Sequence, residues 1–75
     1  MTPEQLIAKV FDVDPDQVDD TTSNSSLPAW DSLGHMNLIL ELEATFNLAV
    51  TPEEALAMTD VATIKGLLRE RGIRW

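Results

Sequence analysis

Asp31-Ser32-Leu33-Gly34-His35-Met36-Asn37-Leu38-Ile39-Leu40-Glu41-Leu42-Glu43-Ala44-Thr45-Phe46 is the stretch on which the fold turns. Asp31 and Ser32 are residue types that cap helices, and the apolar positions beyond them recur at helical spacing. The reading predicts a long helix from Asp31 or Ser32 to about Phe46. Steps of about 100° per residue put Leu38, Ile39, Leu42 and Phe46 on one side and Leu33, Met36, Leu40 and Ala44 on the other. One stripe is enough to hold a surface helix on a small core. The second is surplus unless something outside the chain covers it. This helix has two tasks, one facing inward and one outward.

Working outward from it, three of the four prolines stand in one local pattern: Thr2-Pro3-Glu4-Gln5, Asp14-Pro15-Asp16-Gln17 and Thr51-Pro52-Glu53-Glu54. In each, the Thr or Asp caps, proline takes the first helical position, and Gln or Glu reaches back as in a capping box. Acids there also suit the positive end of the helix. The first start leads into Leu6, Ile7, Val10 and Phe11, an amphipathic helix of about three turns that should end near Asp12 to Asp14. The second makes a single turn through Val18, because the polar run from Asp19 to Ser26 follows at once and reads as a loop with Pro28 near its end. The third gives a short helix, Pro52 to about Met58. Thr59 or Asp60 then caps a last helix carrying Val61, Ile64, Leu67 and Leu68, with Gly72 as its stop. Gly66, inside that helix, is expected to be there for close packing against a neighbour. The fold class is therefore all-α, a small antiparallel four-helix bundle of three longer helices and one short one.

Seventy-five residues make one small domain, 1–75, and a chain of this size buries only about 60% of the surface its unfolded form exposes. A closed substrate pocket would use up most of such a core, so size favours a module on which other proteins act. Thirteen acids stand against five bases, a net charge of −8. The signs are segregated. Residues 1–60 hold twelve acids against Lys9 alone, whereas the last fifteen hold Lys65, Arg69, Arg71 and Arg74 against Glu70. This surface argues against nucleic acid or anionic membrane and for partners with basic patches. There is no cysteine, so any thiol chemistry comes from outside the chain. No signal peptide and no membrane-length apolar run are present, so a cytoplasmic protein is expected. Met1 directly before the first helix start suggests a free-standing one, and a monomer is expected.

Ser32 follows a long polar loop and opens a helix, so its hydroxyl should be exposed where unpaired backbone N–H groups point outward. A phosphate esterified there would be favoured by those donors and by the helix dipole. On residue type alone, capping is the commoner role for Asp31 and Ser32. A Ser32, His35 and Asp31 hydrolytic triad is disfavoured: there is no nucleophile elbow, no oxyanion site and no room for a cleft. His35 is expected to pack under the loop instead. Asp12, Asp14 and Asp16 have the alternation of a calcium loop, but Gln17 and Ser23 stand where glycine and glutamate are needed, so no metal site is assigned. Trp75 and the basic tail read as packing and solvation.

The segment Trp30-Asp31-Ser32-Leu33 resembles the attachment motif of acyl carrier proteins, Asp-Ser-Leu at the opening of the second helix. The likeness extends through the first amphipathic helix, the acidic loop, Leu42-Glu43 before Phe46, Pro52-Glu53-Glu54 and Thr59-Asp60-Val61. The resemblance implies a free-standing, phosphopantetheine-binding carrier that is not an enzyme. It implies that a phosphopantetheinyl transferase places 4′-phosphopantetheine on Ser32, within the motif Asp31, Ser32 and Leu33. The arm's thiol would hold acyl or aminoacyl intermediates as thioesters and fold its cargo toward the bundle interior. Leu33, Met36, Asn37, Leu40 and Glu43 would meet the transferase and the acyl-loading and acyl-transfer enzymes. Gly34 and Asn37 depart from the fatty-acid-synthesis pattern, where aspartate and glutamate are usual, and Trp30 is bulkier than that pattern. These departures point to a specialised biosynthetic pathway. The rival reading is an unmodified acidic adaptor that binds through Leu33, Met36 and Leu40.

Overall fold

The computed structural model describes residues 1–75. Four helices follow in order: α1 (Pro3–Phe11), α2 (Ser32–Phe46), α3 (Pro52–Ala57) and α4 (Val61–Glu70), with a 3-10 turn at Pro15–Gln17 between the first two. There is no strand beyond one isolated bridge between Ser23 and Asp60. The radius of gyration is 11.0 Å, about what a close-packed chain of this length should show.

The proline starts at Thr2 and Thr51 form capping boxes. Thr2 Oγ1 accepts from the Gln5 amide at 3.1 Å while Gln5 Oε1 accepts from the Thr2 amide at 2.9 Å. Thr51 and Glu54 repeat the exchange. The Asp14 start differs from expectation. Its carboxylate accepts from the Asp16 amide rather than from residue 17, and the turn stops at Gln17 so that Val18 can enter the core. Helix ends share one device. Asp12 (φ 54) and Asn47 (φ 53) adopt the left-handed conformation just past α1 and α2, as Gly72 (φ 72) does shortly after α4. In each case the next amide bonds back across the turn: Val13 to Ala8, Leu48 to Glu43 and Ile73 to Leu68. That closure satisfies carbonyls the helix leaves open.

The core gathers Leu6, Ile7, Ala8 and Phe11 of α1 with Val61, Ile64, Leu67 and Leu68 of α4, joined by Val18, Trp30 and Met58 from the connections. The longest helix, α2, adds only Leu38 and Leu42 at full burial; Ile39 and Phe46 of the same stripe are half-buried. The opposite stripe, Leu33, Met36 and Leu40, is 61–68% exposed. Helix α3 buries none of its six residues. It is held by polar ties: Arg71 of the C-terminal segment bonds both Glu54 carboxylate oxygens at 2.6 Å and the Ala49 carbonyl at 2.7 Å.

The long loop before α2 is tied to the start of α4. Asn24 donates to the Thr59 carbonyl, and the Val61 and Ala62 amides donate to the carbonyls of Thr22 and Asp20. Lys65 of α4 completes the seam, its ammonium lying 2.5 Å from Asp20 and 2.6 Å from Glu4. These two acids, with Asp20 leading, hold the ammonium above its ordinary pKa. Lys65 and Arg71 thus neutralise Glu4, Asp20 and Glu54. The expectation for Gly66 fails: a Cβ there would meet nothing within 4 Å. That glycine is not a packing requirement.

Candidate functional site

Ser32 is the first residue of α2, and it is exposed. Asp31 caps the helix, its Oδ1 accepting from the Gly34 amide at 2.8 Å and its carbonyl from the His35 amide at 2.7 Å. This leaves the Ser32 and Leu33 amides with no partner in the protein. Two free donors therefore flank an exposed hydroxyl at the positive end of the longest helix.

The ground beneath the site is built by Trp30. The residue is 2% exposed; its ring stacks on Phe11, with centroids 5.4 Å apart, and lies nearly coplanar with His35, with centroids 6.3 Å apart. The indole Nε1 donates to His35 Nδ1 at 2.9 Å. An indole can only donate, so Nδ1 is the acceptor and the imidazole proton sits on Nε2. Nε2 lies 2.7 Å from the Ala55 carbonyl and donates to it. Trp30, His35 and Ala55 thus form a latch from the loop through α2 to α3. Both ring nitrogens of His35 are committed, and neither is free to take a proton from Ser32. The residue lies against the loop, near the site, as expected.

Gly34 is explained by the same packing. A Cβ at this position would collide with the Ala29 carbonyl oxygen and lie 2.9 Å from Phe11 Cε1. A side chain here would lift the loop, and Trp30 with it, off α2. What looked like a missing recognition charge in the sequence is a steric requirement.

Beside Ser32 an open groove of about 530 Å³ runs between the start of α2, the loop and α3. Asn24 and Thr59 line it with polar groups, and Trp30, Met36 and Leu56 with apolar ones. Of the five expected partner-face residues, Leu33, Met36, Asn37 and Leu40 are exposed. Glu43 is not free in the same way. It is half-buried, and its Oε2 accepts from the Val50 amide at 3.0 Å, tying α2 to the connection before α3. The structure adds Leu56, which sequence reasoning missed, at 80% exposure. Its signal was available: a leucine in a short helix that offers the core nothing. Neither α2 nor α3 carries a basic residue, while Glu41, Glu43, Glu53 and Glu54 lie on them. No three acids or histidines converge into a group that could hold a metal ion. At the far end, the Arg69 guanidinium lies 5.2 Å from the centre of the Trp75 ring.

A scan against protein-family models matches residues 4–69 to the phosphopantetheine attachment site family. A search of the curated proteins finds no match. With most of its length matched, the chain belongs to this family of carrier proteins. Members carry a covalently attached 4′-phosphopantetheine and are not themselves enzymes. They work with phosphopantetheinyl transferases and with biosynthetic enzymes. No helix of this chain is long and apolar enough to cross a membrane.

Proposed function

We propose that the chain is an acyl or aminoacyl carrier whose Ser32 hydroxyl is the attachment point of the phosphopantetheine arm. The observation that supports this most is the start of α2, where an exposed Ser32 stands between two unpartnered amides while Asp31 alone caps the helix. A phosphodiester on Ser32 would be favoured by those donors and by the helix dipole. The residues fit the group: the hydroxyl is accessible, the donors are free, and the groove beside it has room for an arm. When attached, the group supplies the thiol that this cysteine-free chain lacks. The protein's own residues position it. Asp31 fixes the first turn, Trp30 and His35 hold that turn against the core, and Leu33 opens the apolar stripe.

Leu33, Met36 and Leu40 form the docking face of this reading, with the acids of α2 and α3 around them to orient enzymes bearing basic patches. With Gly34 accounted for by packing, it is the absence of charge at the exposed Asn37 that sets the chain apart from carriers of primary fatty-acid synthesis and supports a specialised pathway. The single carrier domain acts as a cytoplasmic monomer, its −8 charge keeping copies apart. Incubation with coenzyme A, Mg²⁺ and a broad-specificity transferase should add one arm to the peptide containing Ser32. Ser32→Ala should abolish the gain and keep the helical circular dichroism spectrum, because Asp31 still caps. Labelling of the alanine variant, or no gain with several transferases, would replace the carrier reading with the adaptor that binds through the same stripe.

A further inference from the structure

On the reading that Ser32 carries the arm, we propose that this carrier keeps its cargo outside the bundle, in the groove between the start of α2, the loop and α3. The cargo class follows: a short acyl group, neutral or amine-bearing, in place of a long aliphatic chain.

The way inward from Ser32 is filled. Trp30, Leu38, Leu42 and Met58 are each at most 2% exposed, and close-packed side chains of this kind admit a guest only by moving one another. All five depressions in the molecule are open to solvent. The latch also lies across the route. A chain passing between α2 and α3 beneath His35 would part Trp30 Nε1 from His35 Nδ1, and His35 Nε2 from Ala55. No buried side-chain polar atom is now without a partner, and breaking these bonds would strand groups in the interior, which is costly.

The groove offers the opposite conditions. Asn24 and Thr59, whose side chains make no hydrogen bond within the protein, line it together with Met36 and Leu56. That mixture suits an arm of alternating amides and methylenes. Asp31 lines the groove and no lysine or arginine does, while both ring nitrogens of the lining His35 are already committed, so a carried carboxylate is disfavoured and a carried ammonium is favoured.

The test loads wild-type protein from acetyl-, β-alanyl-, octanoyl- and dodecanoyl-coenzyme A with a transferase, checks each product by intact mass, and records its melting temperature and amide NMR spectrum. The expected result is one set of shifts at Asn24, Met36, Leu56 and Thr59 for every cargo. The Leu38, Leu42 and Ile64 amides should stay in place, and the dodecanoyl form should melt no higher than the acetyl form. A melting temperature that climbs with chain length, together with movement of those core amides, would show cargo inside the bundle, since a group bound by the folded state stabilises it. Shifts at neither place would show an arm that swings free and would equally overturn the proposal. Absence of any mass gain would instead remove the Ser32 reading on which the proposal stands.

Discussion

Helices α2 and α4 both begin on an aspartate whose Oδ1 accepts from the amide three residues on, Asp31 from Gly34 at 2.8 Å and Asp60 from Thr63 at 2.7 Å. From there they diverge. In α4 the next two amides, Val61 and Ala62, are taken by the carbonyls of Thr22 and Asp20, so the loop closes that helix end. In α2 the equivalent amides, Ser32 and Leu33, are left open beside an exposed hydroxyl. The same local chemistry thus has two outcomes, one start closed by the loop and the other left open, where we propose that the arm is attached. Capping makes a helix end; what lies over the cap decides whether that end is a site.

The division continues along α2, and its two faces give the largest expected difference. Leu42→Ala should destabilise by about 2–5 kcal/mol, the usual result of truncating a buried leucine. Met36→Glu, on the exposed stripe, should change stability by about 0.5 kcal/mol or less yet weaken transferase docking. Chemical denaturation and labelling rate measured side by side check both. Equal unfolding by the two variants would show that the faces are misassigned.

The glycines of the two helices should respond with opposite signs. Gly34→Ala forces a methyl into the Ala29 carbonyl and the Phe11 ring and should lose about 1–3 kcal/mol by overpacking. Gly66→Ala enters open space and should gain up to about 1 kcal/mol from helix propensity. Denaturant midpoints settle the signs, and a stabilising Gly34→Ala would mean that the loop does not rest on α2.

Asp60→Ala should lose about 0.5–2 kcal/mol at neutral pH, the ordinary worth of an N-cap, without slowing labelling at Ser32. Hydrogen bonds from the Thr63 hydroxyl and amide hold the Asp60 carboxyl below its ordinary pKa. A group depressed in the folded state contributes stability that is present above its unfolded pKa, about 3.9, and is lost as pH falls through the folded value. The gap between wild type and Asp60→Ala should therefore be full at neutral pH and narrow below about pH 4. A gap that widens in acid would contradict the assignment. The smallest effect is that of salt. Because most acids of residues 1–60 lack a basic partner, added salt should raise the melting temperature slightly and Mg²⁺ more steeply.

The helices were legible because their starts are written locally. The Thr2 and Thr51 boxes and the Asp31 and Asp60 caps need only four consecutive residues each, and the two stripes of α2 follow from spacing. The relations that shape the site are not local. Nothing in the neighbourhood of Gly34 announces that Ala29 folds back over it, and Trp30, noted only as bulky, stands on the core through its stack with Phe11. His35 could be placed near the loop by its position on the wheel, but its proton is fixed by partners at positions 30 and 55. Glu43 shared the outward pattern of its helix and is drawn aside by Val50, whose amide lies seven residues away. A glycine inside a helix is unfavourable and so suggests a close neighbour, but at Gly66 there is none within 4 Å of a Cβ.

The central claim, that the open start of α2 carries the arm, is tested most directly on the protein as its own cell makes it. Intact mass followed by peptide mapping should find one phosphopantetheine group per chain, on the peptide containing Ser32. An unmodified chain, or a group on Thr21, Thr22, Ser23, Ser25 or Ser26 in place of Ser32, would contradict the account.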